Sequence, residues 1–217
     1  MKNFFKYMLF FVFIYSYGQS KKGDIQVGFN LGLNAGNIKI IAREEYTDNT
    51  NIRIDYNLSL QAAMHLNESW SLKSKIIYDR KGYKGNVIVF GDILFTNGKY
   101  NLSYITVPMI LEHNFGIEKN FYVGVGPYIS LLVTARNNYY DKIALNEFYN
   151  DIEGGLYFNI GKKVVSSDKF SFFYELGFST TLSNTNKGSN FSITSIGENY
   201  NNNVMFINVG MLFNSKN

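Results

Sequence analysis

Ile25-Gln26-Val27-Gly28-Phe29-Asn30-Leu31-Gly32-Leu33 alternates without a fault. Ile25, Val27, Phe29, Leu31 and Leu33 occupy one set of positions, and Gln26, Gly28, Asn30 and Gly32 the other. Successive strand residues point to opposite sides, so the segment has one greasy face and one small or polar face. The same period returns along the chain and predicts eight strands: Ile25 to Leu33, Ile54 to Leu66, Trp70 to Tyr78, Asn101 to Phe115, Phe121 to Ala135, Phe148 to Gly161, Phe170 to Leu182 and Val204 to Phe213. Most reach the roughly 9 to 11 residues that a tilted strand needs to cross the hydrocarbon layer.

The connections sort by length. Asn67-Glu68-Ser69, Gly116 to Asn120 and Lys162 to Lys169 are short and polar, whereas Asn34 to Arg53, Asp79 to Tyr100, Arg136 to Glu147 and Ser183 to Asn203 are longer and rich in Asn, Gly, Lys and Asp. Strict alternation of short and long connections is the habit of barrels in an outer membrane. The predicted fold is therefore all-β: an eight-stranded antiparallel up-and-down transmembrane β-barrel with short periplasmic turns and long extracellular loops. A soluble barrel holding an apolar ligand would reverse the faces, with polar residues outside.

Charge placement sharpens the expectation. Within the strands Asp55, Lys73, Lys75, Glu112, Asp151, Glu153 and Glu175 all fall on the set opposite the apolar one. A Lys or Arg facing lipid near the midplane costs on the order of 2 to 4 kcal/mol, which explains the segregation if the apolar set meets acyl chains. Eight strands enclose a lumen just wide enough to be filled by side chains. Lys73 and Lys75 are expected to pair there with some of Glu112, Glu153 and Glu175, because buried charges must be matched; a wet lumen with solvated charges is the plainer alternative. Hairpin registers set from the turns put Glu112 opposite Gly124, Glu153 opposite Gly177, Glu175 opposite Gly155 and Lys73 opposite Ala63. Pro108 and Pro127 fall nearly opposite each other, where missing donors predict a bulge or kink. Trp70, Phe115, Phe121, Phe170 and Phe213 sit beside the short turns as an expected aromatic girdle, with Tyr78, Tyr83, Tyr100, Phe148 and Tyr149 toward the other rim.

Composition narrows the remaining possibilities. The 217 residues include 17 Tyr and 19 Phe but one Trp, two Pro and no Cys, a bias toward strands that also removes disulfides, thiolate metal sites and Cys nucleophiles. A net charge of +4, with basic residues scattered, gives no nucleic-acid footprint. Lys2, Lys6, the apolar run Met8 to Tyr15 and the small residues of Ser16-Tyr17-Gly18 form an export signal, with cleavage before Gln19. The division is thus a signal peptide at 1–18 and one barrel domain at 19–217. His65 and His113 lack both a neighbouring nucleophile and metal-ligand spacing, so no catalytic, cofactor or metal site is expected; His65 reads as a lumen residue and His113 as an interfacial one. Glu44-Glu45 and Tyr200-Asn201-Asn202-Asn203 are assigned to outer loops.

Several segments carry a family likeness: GFNLGLNAG at Gly28 to Gly36, YITVPMIL at Tyr104 to Leu111, YVGVGPYISLL at Tyr122 to Leu132, DIEGGLYFNIG at Asp151 to Gly161, and INVGMLF ending at Phe213. Together they resemble the PorT-like outer-membrane β-barrel family of Gram-negative bacteria. The resemblance implies a barrel inserted into outer-membrane lipid by the barrel-assembly machinery, with no enzymatic activity and no cofactor. Substrates of that machinery commonly end in an aromatic residue, whereas here four residues follow Phe213. The expected role is non-enzymatic, structural or binding, exercised by a monomer through its outer loops. The alternatives are a narrow channel for small solutes or ions lined by the inward charges, and a component of a protein-secretion or surface-attachment system.

Overall fold

A computed structural model describes residues 23–41, 51–87, 95–137, 146, 149–167, 169–183, 185 and 199–215. The proposed signal peptide and Glu44-Glu45 lie outside the described residues, as does Phe148. Eight strands run in chain order: β1 (Ile25–Ile41), β2 (Asn51–His65), β3 (Trp70–Val87), β4 (Phe95–Phe115), β5 (Phe121–Asn137), β6 (Ile152–Val165), β7 (Phe170–Thr181) and β8 (Asn199–Ser215). Each pairs antiparallel with its sequence neighbour, and β8 returns to β1 from Ile25↔Ser215 to Ile41↔Asn199, closing the barrel. Closure removes the sheet edges, so every strand has a ladder on both sides.

The faces divide as alternation demands. Leu31, Leu60, Met109, Ile129, Ile160, Leu176 and Val209 all point outward with about half or more of their surface exposed, whereas Gln61, Lys73, Glu112, Asn159, Glu175 and Asn208 are buried inside. In a water-soluble protein such an apolar exterior would be untenable; against acyl chains it is what the solvent requires.

Four strands are longer by five residues or more than alternation indicated. β1 continues to Ile41, β3 to Val87, and β4 and β8 begin at Phe95 and Asn199, so segments expected as outer loops are part of the barrel wall. Tyr200-Asn201-Asn202-Asn203, assigned to a loop, lies within β8, with Asn202 buried. Above the apolar belt both faces can be polar, and the hydrophobic period disappears although the backbone ladder goes on. Only that period is visible in a sequence.

The last short hairpin also shifts. β6 runs on to Val165 and pairs Val165↔Ser171, which sets Glu175 opposite Gly161 and Gly177 opposite Asn159, instead of Glu175 opposite Gly155 and Gly177 opposite Glu153. Because the slip is an even number of residues, every side chain keeps its face. Elsewhere the expected partners stand: Glu112↔Gly124 and Ala63↔Lys73. Pro108 pairs with Tyr128, beside Pro127, and Ser74 Oγ donates to the Pro108 carbonyl at 3.0 Å. The register shift between β4 and β5 lies higher, between Ser103 and Tyr104, so the prolines are not themselves the site of the bulge.

At the short-turn rim, Gly116 turns the β4–β5 connection with φ 89, a left-handed conformation open to glycine at little cost. Lys119 there reaches across to Glu68 of the β2–β3 turn at 2.9 Å. The nearby ammonium holds the exposed Glu68 carboxyl below the usual carboxylate range, chiefly through that hydrogen bond.

Candidate functional site: the ionic lumen

Parity brings the lumen charges together. On β3, Lys73, Lys75, Asp79 and Lys81 share the inward face; Glu112 comes from β4, Glu153 and Lys163 from β6, and Glu175 from β7. All eight are buried, one carboxylate for each ammonium.

They form two levels. In the one nearer the short turns, Lys73 pairs with Glu112 and stands 3.7 Å from Glu175, Lys75 meets Glu175 at 2.5 Å, and Lys163 lies 3.3 Å from Glu112. Lys163 Nζ also donates to Asn114 Oδ1 at 3.0 Å. Glu175 is the hub: its oxygens accept from Asn159 at 2.7 Å, Asn208 at 3.1 Å, Tyr122 at 3.3 Å and Tyr157 at 3.4 Å. The Lys73 ammonium sits 4.3 Å from the Tyr122 ring centroid, where the face of the π system favours a cation.

The other level centres on Lys81, 3.3 Å from Asp79 and 3.8 Å from Glu153. Glu153 accepts from Tyr104 at 2.7 Å and Asn202 at 2.8 Å, and Asp79 from Asn34 at 2.6 Å. Farther out, Asp55 holds Arg53 at 2.8 Å and Arg80 at 3.3 Å.

An apolar layer separates the levels. Ile77, Ile110, Tyr128, Tyr157 and Phe206 form one buried cluster, with Tyr157 and Phe206 stacked at 4.8 Å. Ile77 stands between Lys75 and Asp79 along β3, so the layer crosses the lumen where one ionic level gives way to the next. Around it β1, β2 and β8 contribute uncharged amides and hydroxyls, including Asn30, Ser59 and Asn208.

Lys73, Lys75, Glu112, Glu153 and Glu175 thus meet inside the barrel, and Asp55 lies at the outer end of the same face. Asp151 does not belong with them: β6 begins at Ile152, one residue later, and Asp151 is exposed. Asp79, Lys81 and Lys163 were missed because the expected strands stopped short of them. Extending β3 and β6 at constant parity would have found all three.

Room for this packing comes from glycine, but for rings rather than glutamates. A Cβ on Gly161 would collide with the Tyr122 hydroxyl and the Tyr174 carbonyl, and one on Gly155 with the Tyr128 ring. Gly161→Val is expected to cost about 1–3 kcal/mol through overpacking. Gly154→Ala, where the new Cβ would meet only the Tyr128 carbonyl at 3.8 Å, should be nearly neutral. Urea unfolding of the two variants in lipid vesicles makes the comparison, and equal midpoints would refute the tight fit.

Trp70, Phe115, Phe121 and Phe213 are outward and well exposed beside the short turns, with Phe170 half-buried and paired to Phe213. Phe115 and Phe121 stack at 5.9 Å, and His113 packs 4.6 Å from Trp70. His65 is buried in the lumen. The other rim differs from expectation. Tyr83 and Tyr100 stack at 4.5 Å inside the barrel, and the Tyr149 hydroxyl meets that of Tyr83 at 3.1 Å. They share the inward face with Lys81 and Leu102, so parity overrides the usual preference of Tyr for an interface. Among the described residues no group of His, Asp and Glu is arranged to hold a metal ion.

A family model for an outer membrane protein beta-barrel domain matches residues 17–187. Among solved structures, the chain is similar to the outer membrane protein OprG from Pseudomonas aeruginosa, with TM-score 0.58 and 12% identity over 93% of this chain and 100% of that one. The outer membrane protein AlkL, solved in DMPC lipid bilayers, is similar with TM-score 0.53 and 12% identity over 94% of this chain and 96% of that one. At such identity the likeness is one of fold. Comparison with curated proteins finds no match.

Proposed function

The chain belongs to the outer membrane protein beta-barrel domain family, and on that premise we propose that it serves as a non-enzymatic barrel with a sealed lumen, acting as a structural or binding protein through its outer loops. The observation that carries this reading is the apolar layer of Ile77, Ile110, Tyr128, Tyr157 and Phe206 between two ion-paired levels. An ion on the axis would have to part Lys75 from Glu175 and then displace the closely packed rings and aliphatic side chains of that layer. Purified protein in planar bilayers is expected to give no stable single-channel steps. Steps that vanish when Lys75 and Glu175 are both replaced would establish the alternative, a narrow channel.

The finer expectations belong to the same proposal. The first 18 residues act as a cleaved export signal, the barrel-assembly machinery inserts the strands, and Trp70, Phe115, Phe121, Phe170 and Phe213 anchor the short-turn rim at headgroup depth. The mature chain is a monomer in outer-membrane lipid. A place in the PorT-like branch rests on the motifs from Gly28 to Phe213, and with it a part in secretion or surface attachment.

A further inference from the structure

The two ionic levels do not balance separately. Lys81, Arg53 and Arg80 face Asp79, Glu153 and Asp55 at the outer level, which is neutral. Nearer the short turns, Lys73, Lys75 and Lys163 face only Glu112 and Glu175. Among the described buried groups, one positive charge is left over on the short-turn side of the apolar layer. Farther out at that end, Asp24 lies at the mouth just before β1 and is partly exposed, and Glu68 and Glu118 lie on the short turns.

Beside this cluster runs the inward row of β2. Lys73 faces Ala63 across the β2–β3 ladder, Lys75 faces Gln61, and Ser71 faces His65. Ala63 is the smallest side chain in that inward row. On either side of it along β2, both ends of the Gln61 amide and both ring nitrogens of His65 are buried without a partner among the described residues. Gln61 is 6% and His65 3% exposed. Buried polar groups of native proteins nearly always find a hydrogen-bond partner, so two such groups flanking one small residue mark a place for something else to bind. Across the other ladder Gln26 faces Ala63 and spends one of its two amide N–H donors on Asn214 at 2.8 Å.

We propose that Lys73, Gln61 and His65 form a binding site for a small monovalent anion over Ala63, reached from the short-turn mouth of the barrel. An ammonium has three donors, and the two carboxylates near Lys73 leave one to spare. The Gln61 amide and an imidazole N–H supply two more, and the anion's charge cancels the excess. The site rests on the sealed lumen proposed above, since in an open pore the excess charge would be solvated.

Chloride is the probe, with gluconate as a bulky control at equal ionic strength. Chlorine NMR of the purified barrel in detergent should show saturable line broadening. Gln61→Leu and His65→Leu, which leave every buried charge in place, should each weaken it at least about tenfold, as the loss of a hydrogen bond to a charged group implies. Should a variant not fold, the heat-unfolding midpoint of the unaltered protein decides: a saturable rise in chloride but not in gluconate supports the site. No broadening, equal midpoints in the two salts, or variants that bind as tightly as the parent would overturn it. Conductance in planar bilayers separately reports failure of the sealed-lumen reading.

Discussion

Glu175→Gln should lower the unfolding free energy by about 3–5 kcal/mol, the range for removing one partner of a buried ion pair. The carboxylate answers two ammoniums, Lys75 at 2.5 Å and Lys73 at 3.7 Å, and accepts from four further side chains on β5, β6 and β8. The amide keeps the shape but leaves Lys75 buried without a counter-charge and turns two N–H donors on a cage built of donors. Replacing both members of the pair, as in Glu175→Leu with Lys75→Met, should cost less than the single change, because the unmatched charge goes too. Urea unfolding in lipid vesicles, with the gel shift on heating as a second readout, measures both. A single variant as stable as the parent would mean that the lumen admits enough water to solvate Lys75, and the sealed barrel would be abandoned.

Leu176→Arg is expected to destabilise the folded protein in a bilayer by about 2–4 kcal/mol, the cost of a guanidinium on a lipid-facing barrel position near the midplane. Leu176 lies in the middle of β7, flanked in register by Ile160 and Ile207, and all three are about half exposed on the apolar exterior. The control is Ile25→Arg at the first position of β1, beside the short-turn mouth, where the same substitution should cost only about 0–1 kcal/mol. The contrast, more than either value, carries the prediction. A soluble barrel has water along its whole exterior and would tolerate both changes alike. Equal, small effects at the two positions would therefore refute a membrane-facing belt.

The sequence by itself determined the class of fold and which way each side chain faces. Two-residue alternation from Ile25 to Leu33 and its repeats requires strands with one apolar face, and the confinement of Lys73, Lys75, Glu112, Glu153 and Glu175 to the other face already implies a lumen. These properties are local: they follow from the strand period and the cost of a charge in hydrocarbon, and they survive an even slip in register. What only the tertiary structure decided depends on distance across the barrel. The extension of β1, β3, β4 and β8 has no hydrophobic signature, because both faces there can be polar, and with it Asp79 and Lys81 came into the lumen while Tyr83 and Tyr100 turned inward. The longer β6 moved Gly161, not Gly155, opposite Glu175 and added Lys163 to the ion cluster. That Ile77 and Phe206 would join one buried cluster between two ionic levels could not be read from either strand alone, since β3 and β8 are not neighbours and share a core only once the barrel has closed.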